Sequence, residues 1–255
     1  MSRREFLAGA GGFAAGAAVG SLLGGGLSLV PSALAAPASW PYPYAKLDPA
    51  VVSKKGYQYY WEGGCMYGAA RAMVEALNEK VGAPYDAFPV DCVRFGAGGA
   101  AGWGTICGAI NGACVGMNLV LPKADVAKVC GELIGWCTKE PFPSKDHDAY
   151  AKFKDQKQSV AGSPLCHASV SKWCAASGFK EGSTERKDRC AKLTGDVAAK
   201  AVELLNAYFE GKFVPAFKPS AETAACMGCH VGASSTLQNS IGKDECKTCH
   251  PNAHK

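Results

Sequence analysis

Charge is missing from a long stretch of this 255-residue chain, since no Asp, Glu, Lys or Arg occurs from Phe6 to Ala45. A strand rhythm is missing throughout, which excludes sandwiches and barrels. Histidine and methionine are scarce, five of each, and no methionine stands in a ligand context, so imidazole supplies any axial chemistry from a short roster. The glycine-rich stretch from Phe95 to Gly104 has no Walker lysine after it and no βαβ pattern around it. That excludes a phosphate cradle and leaves close backbone approach to a helix or a cofactor. No basic stripe with interleaved aromatics appears, so no nucleic-acid partner is expected.

Cysteine, at thirteen, is plentiful. Cys226-Met227-Gly228-Cys229-His230 and Cys246-Lys247-Thr248-Cys249-His250 are two copies of C-x-x-C-H, the pattern of covalent c-type haem attachment. Two cysteines three apart can each form a thioether to a haem vinyl, and the adjacent histidine then lies under the ring as an axial ligand. The competing reading is a zinc ribbon of four thiolates, because sixteen residues separate Cys229 from Cys246. That reading leaves both trailing histidines without a role.

Ser2-Arg3-Arg4-Glu5-Phe6-Leu7 reads as a twin-arginine signal, followed by a Gly/Ala/Leu run and small residues at Ala33-Leu34-Ala35. Residues 1–35 are expected to direct export to the periplasm and to be cleaved near Ala35, leaving no stable membrane insertion. The run is long enough to span a bilayer, so an uncleaved anchor is the alternative. Twin-arginine export carries folded proteins, commonly with a cofactor in place, whereas c-type haem is attached after export to an open chain. A second cofactor loaded before export is therefore expected. Removing Arg3, Arg4 and Glu5 takes the formal charge from +5 to +4, and the propionates of two haems would bring the mature protein near neutral.

The remaining chain suits one good-sized core with an appendage. Residues 37–61, with Pro37, Pro41, Pro43 and Pro49, read as an extended lead-in. From Gly64 the residues Cys65, Ala69, Met73 and Leu77 recur at helical spacing until Gly82 and Pro84. Between Trp103 and Leu121, Gly104, Gly108, Gly112 and Gly116 form a smooth ridge expected to press against another helix. Further helices are read over 122–137, 146–153, 164–177 and 184–209, the last with a break at Gly195-Asp196. The prediction is an all-α helical bundle over residues 36–212 and a mostly irregular dihaem segment over 213–255.

Nine cysteines remain outside the haem motifs. Cys107 and Cys114, like Cys130 and Cys137, are seven apart, so each pair shares a helix face but stands roughly 10 Å apart along the axis. Neither can be an internal disulfide, whose Cα atoms lie within about 7 Å. Disulfides between helices, redox-active thiols and an iron-sulfur site all remain open, with Cys65, Cys107, Cys130, Cys137, Cys166 and Cys174 as candidate cluster ligands. His230 and His250 are proximal ligands in this scheme, leaving His147, His167 and His254 as candidates for two distal positions. Only fifteen residues lie between the motifs, so the rings should be close. Bis-histidine iron has no open site, which favours a non-enzymatic electron carrier with redox partner proteins. The alternative is a haem or iron-sulfur reductase with an open coordination position.

Gly64-Cys65, the stretch Gly98-Gly99-Ala100-Ala101-Gly102-Trp103-Gly104-Thr105-Ile106-Cys107-Gly108-Ala109 and the later Cys130 and Cys137 resemble the redox-active family named for cysteines spaced around Gly-Cys-Ala-x-x-Gly, with Met66 where that motif has alanine. Together with Cys166-His167 through Trp173-Cys174 and the two C-x-x-C-H sites, the mature chain resembles the split-Soret cytochromes c of sulfate-reducing bacteria. The resemblance implies a homodimer with two c haems per subunit, all bis-histidine and clustered at one end. Stacked haems would split the absorption band, and one ligand would pass between subunits.

Overall fold

A computed structural model describes residues 39–253, which belong to one compact unit. The targeting segment and His254 lie outside the described residues. The helices are α1 (Pro49–Val81), α2 (Gly108–Val120), α3 (Lys123–Lys139), α4 (Cys166–Ser177), α5 (Thr184–Phe209), α6 (Ala221–His230) and the single turn α7 (Cys246–Cys249). Two 3₁₀ segments, Tyr85–Ala87 and Val90–Gly96, follow α1. Among the described residues the strands are β1 (Pro141–Phe142) and β2 (Ser159–Val160), an antiparallel pair of two residues each. The architecture is all-α, as the missing strand rhythm predicts.

α1 is the axis, packing most extensively on α5 and then on α2. It starts fifteen residues before the predicted helix, because the proline-rich lead-in ends at Asp48 rather than near residue 61. The Asp48 carboxylate accepts from the Ala50 N–H at 2.9 Å, and Pro49 occupies the first helical position, where its missing N–H costs nothing. Gly64, at φ +81°, then breaks the helix into two limbs, so that Cys65 opens a second helical segment in mid-core. A side chain there would be strained by the backbone angle and would also press on Ala97.

The glycine ridge does its predicted job over a shorter span. Gly104 lies in the preceding loop at φ +73°, and α2 begins at Gly108. A Cβ on Gly112 would sit 2.2 Å from the Met66 carbonyl oxygen of α1, and one on Gly116 would sit 2.8 Å from the Met73 sulfur. Each helical glycine costs about 1 kcal/mol against alanine, which close packing of the two helices offsets.

α5 runs unbroken through Gly195-Asp196, against the predicted interruption. Gly195 serves approach instead: its Cβ would lie 2.5 Å from the Ser53 carbonyl oxygen of α1. Residues 146–153 form turns rather than the predicted helix. Asp188 of α5 accepts the Lys152 and Phe153 N–H groups at 3.3 and 3.1 Å, so these donors are withdrawn from any helical ladder. Beyond α5 the chain runs along α3, where Glu132 accepts from the Ala216 and Phe217 N–H groups at 3.0 and 2.9 Å. The Phe217 ring covers Gly135.

Candidate functional site

Three cysteines of the core stand at helix N-termini. Cys65 opens the second limb of α1, Cys107 immediately precedes α2, and Cys166 is the first residue of α4. The positive end of a helix favours a thiolate. Cys65 and Cys166, with Cys190 from α5, line a 560 Å³ cavity that also has Tyr60 and His167 on its wall, and Cys107 lies within electrostatic reach of all three. The glycine-rich loop also lines the cavity, and its residues 98–102 and Gly104 all have left-handed φ, from 49° to 80°. Backbone bonds pin this loop to α4, with Cys166 N donating to Thr105 O at 2.7 Å and His167 N to Gly104 O at 3.1 Å. The loop thus gives the close backbone approach expected of it.

Burial raises the Cys65 thiol above its ordinary value, with Cys190 adding to the shift. It raises Cys107 further, helped by Cys65 and Cys166, and pushes Cys166 up to about 12, again chiefly through burial and then through Cys65. Several thiolates can coexist here only beside a compensating cation. Arg189 supplies part of that compensation. It is 1% exposed; one nitrogen donates to Ser169 Oγ at 2.9 Å and another lies 3.8 Å from Cys190 Sγ. Its Nε–H is buried without a hydrogen-bond partner. A buried guanidinium with an unmet donor is costly unless an anionic group is its partner, and a thiolate-bound iron-sulfur unit is such a group. Among the described residues no three His, Cys, Asp or Glu side chains close on a point where a single ion would sit. The cysteines face a shared space instead, which suits a group of several atoms.

The six predicted cluster residues therefore divide. Cys65, Cys107 and Cys166 are brought together, whereas Cys130 pairs with Cys114 and Cys137 faces Cys107 across a small separate gap. Cys174 feels Arg186 and Cys190 but does not line the cavity. Cys190 is the residue the candidate set lacked. Its signal was the pair of arginines at 186 and 189 beside it on one helix, the electropositive setting of a reactive thiol. His167 stands on the cavity wall. His147, predicted as a distal haem ligand, is fully buried, with Nε2 2.8 Å from Asp196 Oδ1 and Nδ1 2.9 Å from Tyr150 OH. Both ring nitrogens are used inside the core, so this candidate is withdrawn.

In the C-terminal segment, α6 carries the first C-x-x-C-H and ends on His230, while α7 is the second motif's single turn with His250 following. His230 Nδ1 lies 2.8 Å from Asn239 Oδ1. An amide oxygen only accepts, so this bond suits the tautomer with the proton on Nδ1, the one an axial ligand binding through Nε2 needs. Cys226 and Cys246 are neighbours and Cys229 and Cys249 are exposed; among the described residues no three of these side chains converge as the ligands of a zinc ribbon would. Val214, Leu237 and Ile241 are 77%, 52% and 96% exposed, apolar surface of the kind a porphyrin covers. A 400 Å³ hollow between α3 and this segment, walled by Cys130, Ile134, Pro164, Phe217 and Asp244, is largely apolar. The donor set and its surroundings fit covalently bound haem.

Residues 67–204 match the family described as "Putative redox-active protein (C_GCAxxG_C_C)". The chain is 34% identical over 266 aligned positions to the split-Soret cytochrome c of Desulfovibrio desulfuricans, covering 98% of this chain and 94% of that protein. A solved structure, described as a novel iron centre in the split-Soret cytochrome c from Desulfovibrio desulfuricans, superposes with a TM-score of 0.78 at 34% identity, over 84% of this chain and 91% of the other.

Proposed function

The chain belongs to the split-Soret cytochrome c family, and from that premise we propose that it is a periplasmic dihaem c-type cytochrome that carries electrons, exported by the twin-arginine route and working as a homodimer. The observation that carries this reading is the His230–Asn239 bond at the end of a C-x-x-C-H helix, in a chain with two such motifs. Bound there, haem c supplies one-electron iron chemistry. Cys226, Cys229, Cys246 and Cys249 hold the thioethers, and His230 and His250 are the proximal donors. Asn239 orients the first of these imidazoles and makes it a stronger donor.

With His147 occupied in the core, His167 and His254 are the histidines left for two distal positions, so bis-histidine ligation of both haems uses all of the remaining imidazoles. His167 lies at the cysteine cavity of its own protomer, and as a haem ligand it would serve a second copy. The same placement favours one specific alternative, a reductase in which one haem keeps an open position. The cavity of Cys65, Cys107, Cys166 and Cys190 is the proposed site of an iron-containing group, loaded before export, which would relay electrons to the haems.

Protein purified without oxygen from a cytochrome-c-maturing host tests the reading. Pyridine haemochrome should give two haems per chain, with non-haem iron and labile sulfide in addition, and ferrous protein should bind little carbon monoxide. Rapid stoichiometric carbon monoxide binding would establish the reductase instead, and zinc without haem would end the cytochrome reading.

A further inference from the structure

Cys114 and Cys130 belong neither to the four-cysteine cavity nor to the C-x-x-C-H motifs. α2 and α3 form a helical hairpin turned at Leu121-Pro122, with Cys114 seven residues before Leu121 and Cys130 eight after Pro122. Neighbouring helices joined so tightly run antiparallel, which brings the two cysteines level. Each of the two thiols is the largest influence on the other's ionisation. Cys130 is 8% exposed and opens on the 400 Å³ hollow beneath the C-terminal segment. Asp244, on the wall of that hollow, is two residues from Cys246. The pair is thus a dithiol beside the second C-x-x-C-H motif, separate from the four-cysteine cavity.

We propose that Cys114 and Cys130 form a thiol-based redox centre that cycles between dithiol and disulfide and exchanges two electrons with the C-terminal haem segment. The haem partner rests on the dihaem reading above; the chemistry of the pair does not. In the oxidative direction two S–H bonds break and one S–S bond forms. Two protons leave to solvent in the hollow, and two electrons pass singly to two ferric c-type haems, which become ferrous. A dihaem protein has the matching two-electron capacity. The pair is also asymmetric, as thiol exchange requires. The Cys114 hydrogen bond holds Cys130 below the ordinary thiol value, and Cys114 itself is pushed above it by that bond and by burial. Cys130 is therefore the better nucleophile, and it is the sulfur that borders the hollow.

The test is differential alkylation of the intact wild-type holoprotein across a series of dithiothreitol redox buffers, read by peptide mass spectrometry. Cleavage after Glu132 separates Cys130 from Cys137, and fragment ions separate Cys107 from Cys114. The expected result is a reversible Cys114–Cys130 disulfide whose ratio to dithiol changes tenfold for about 30 mV, the slope of a two-electron couple. Anaerobic protein with its pair reduced should then turn two ferric haems per chain ferrous, and C114S and C130S should lose that increment. Two sulfurs free at every potential, a link from Cys114 to any other cysteine, or a reduced pair that leaves both haems ferric would each overturn the proposal. Pyridine haemochrome on the same sample separates the two readings: a cycling pair in haem-free protein supports the thiol centre and removes the dihaem assignment.

Discussion

Around Cys65, Cys107, Cys166 and Cys190 each sulfur is set by a helix end or a helix face that the core holds rigidly. Cys226, Cys229, Cys246 and Cys249 sit on a ten-residue helix and one isolated turn, in a segment where Thr223 and Ser235 are the buried side chains. The first region is a finished cavity before any group enters it. The second exposes Val214, Leu237 and Ile241 and has little core of its own, so covalent attachment must supply much of its order. Such a division suits a chain that folds its body first and receives haem last.

The sharpest way to break this contrast is Gly112→Leu. Its Cβ would stand 2.2 Å from the Met66 carbonyl oxygen, and backbone cannot yield cheaply. A loss of about 3 kcal/mol is expected, seen as a fall in melting temperature of about 6–12 °C, together with loss of the proposed iron group. A large loss is next expected with pH in iron-free protein. Cys65, Cys107 and Cys166 are all raised by burial, the last from 9.0 to about 12. Above pH 9 the unfolded chain therefore binds fewer protons than the folded one, and stability falls as pH rises. The contribution is whole below pH 9 and drains as the pH nears 12; denaturation at stepped pH should show the decline, and iron-loaded protein should lack it.

Arg189→Met separates binding from folding. It should cut iron content by more than half, while the melting temperature of the iron-free protein holds or rises, because a buried charge has been replaced by a side chain of similar reach. Glu132→Gln weakens two hydrogen bonds to the backbone of the linking segment and should cost about 1–2 kcal/mol, read as faster proteolysis after Lys212 with the core intact. The smallest effect belongs to Gly228→Ala, where a Cβ meets nothing within 4 Å; melting should be unchanged. A large loss there would show that the tail is as tightly built as the core.

Much of this was legible where one residue type repeats at a fixed interval. The four-residue glycine spacing announced a helix against a helix, and the doubled C-x-x-C-H announced the tail's chemistry. What escaped depended on distant partners. Cys190 joins the cavity only because α5 packs along α1, and His147 is committed only because Asp196 and Tyr150 meet it in the interior. The start of α1 escaped for a local reason: four prolines between residues 37 and 49 suggested extended chain, while Asp48-Pro49 is a helix start. Gly195 looked like an interruption because a glycine that breaks a helix and one that admits a neighbour look alike in sequence.

Those close glycine contacts also fix alignment. Gly195 meets Ser53, Gly56 meets Gly195 and Gly112 meets Met66, and each works at only one longitudinal setting, like notches cut on adjoining rods. A slip of one turn, about 5.4 Å, would drive side chains into backbone at all three notches at once. The same slip would carry Cys190 and Cys107 past Cys65 by more than the length of a metal–sulfur bond. Positional tolerance at the four sulfurs is thus set by residues that have no chemistry of their own.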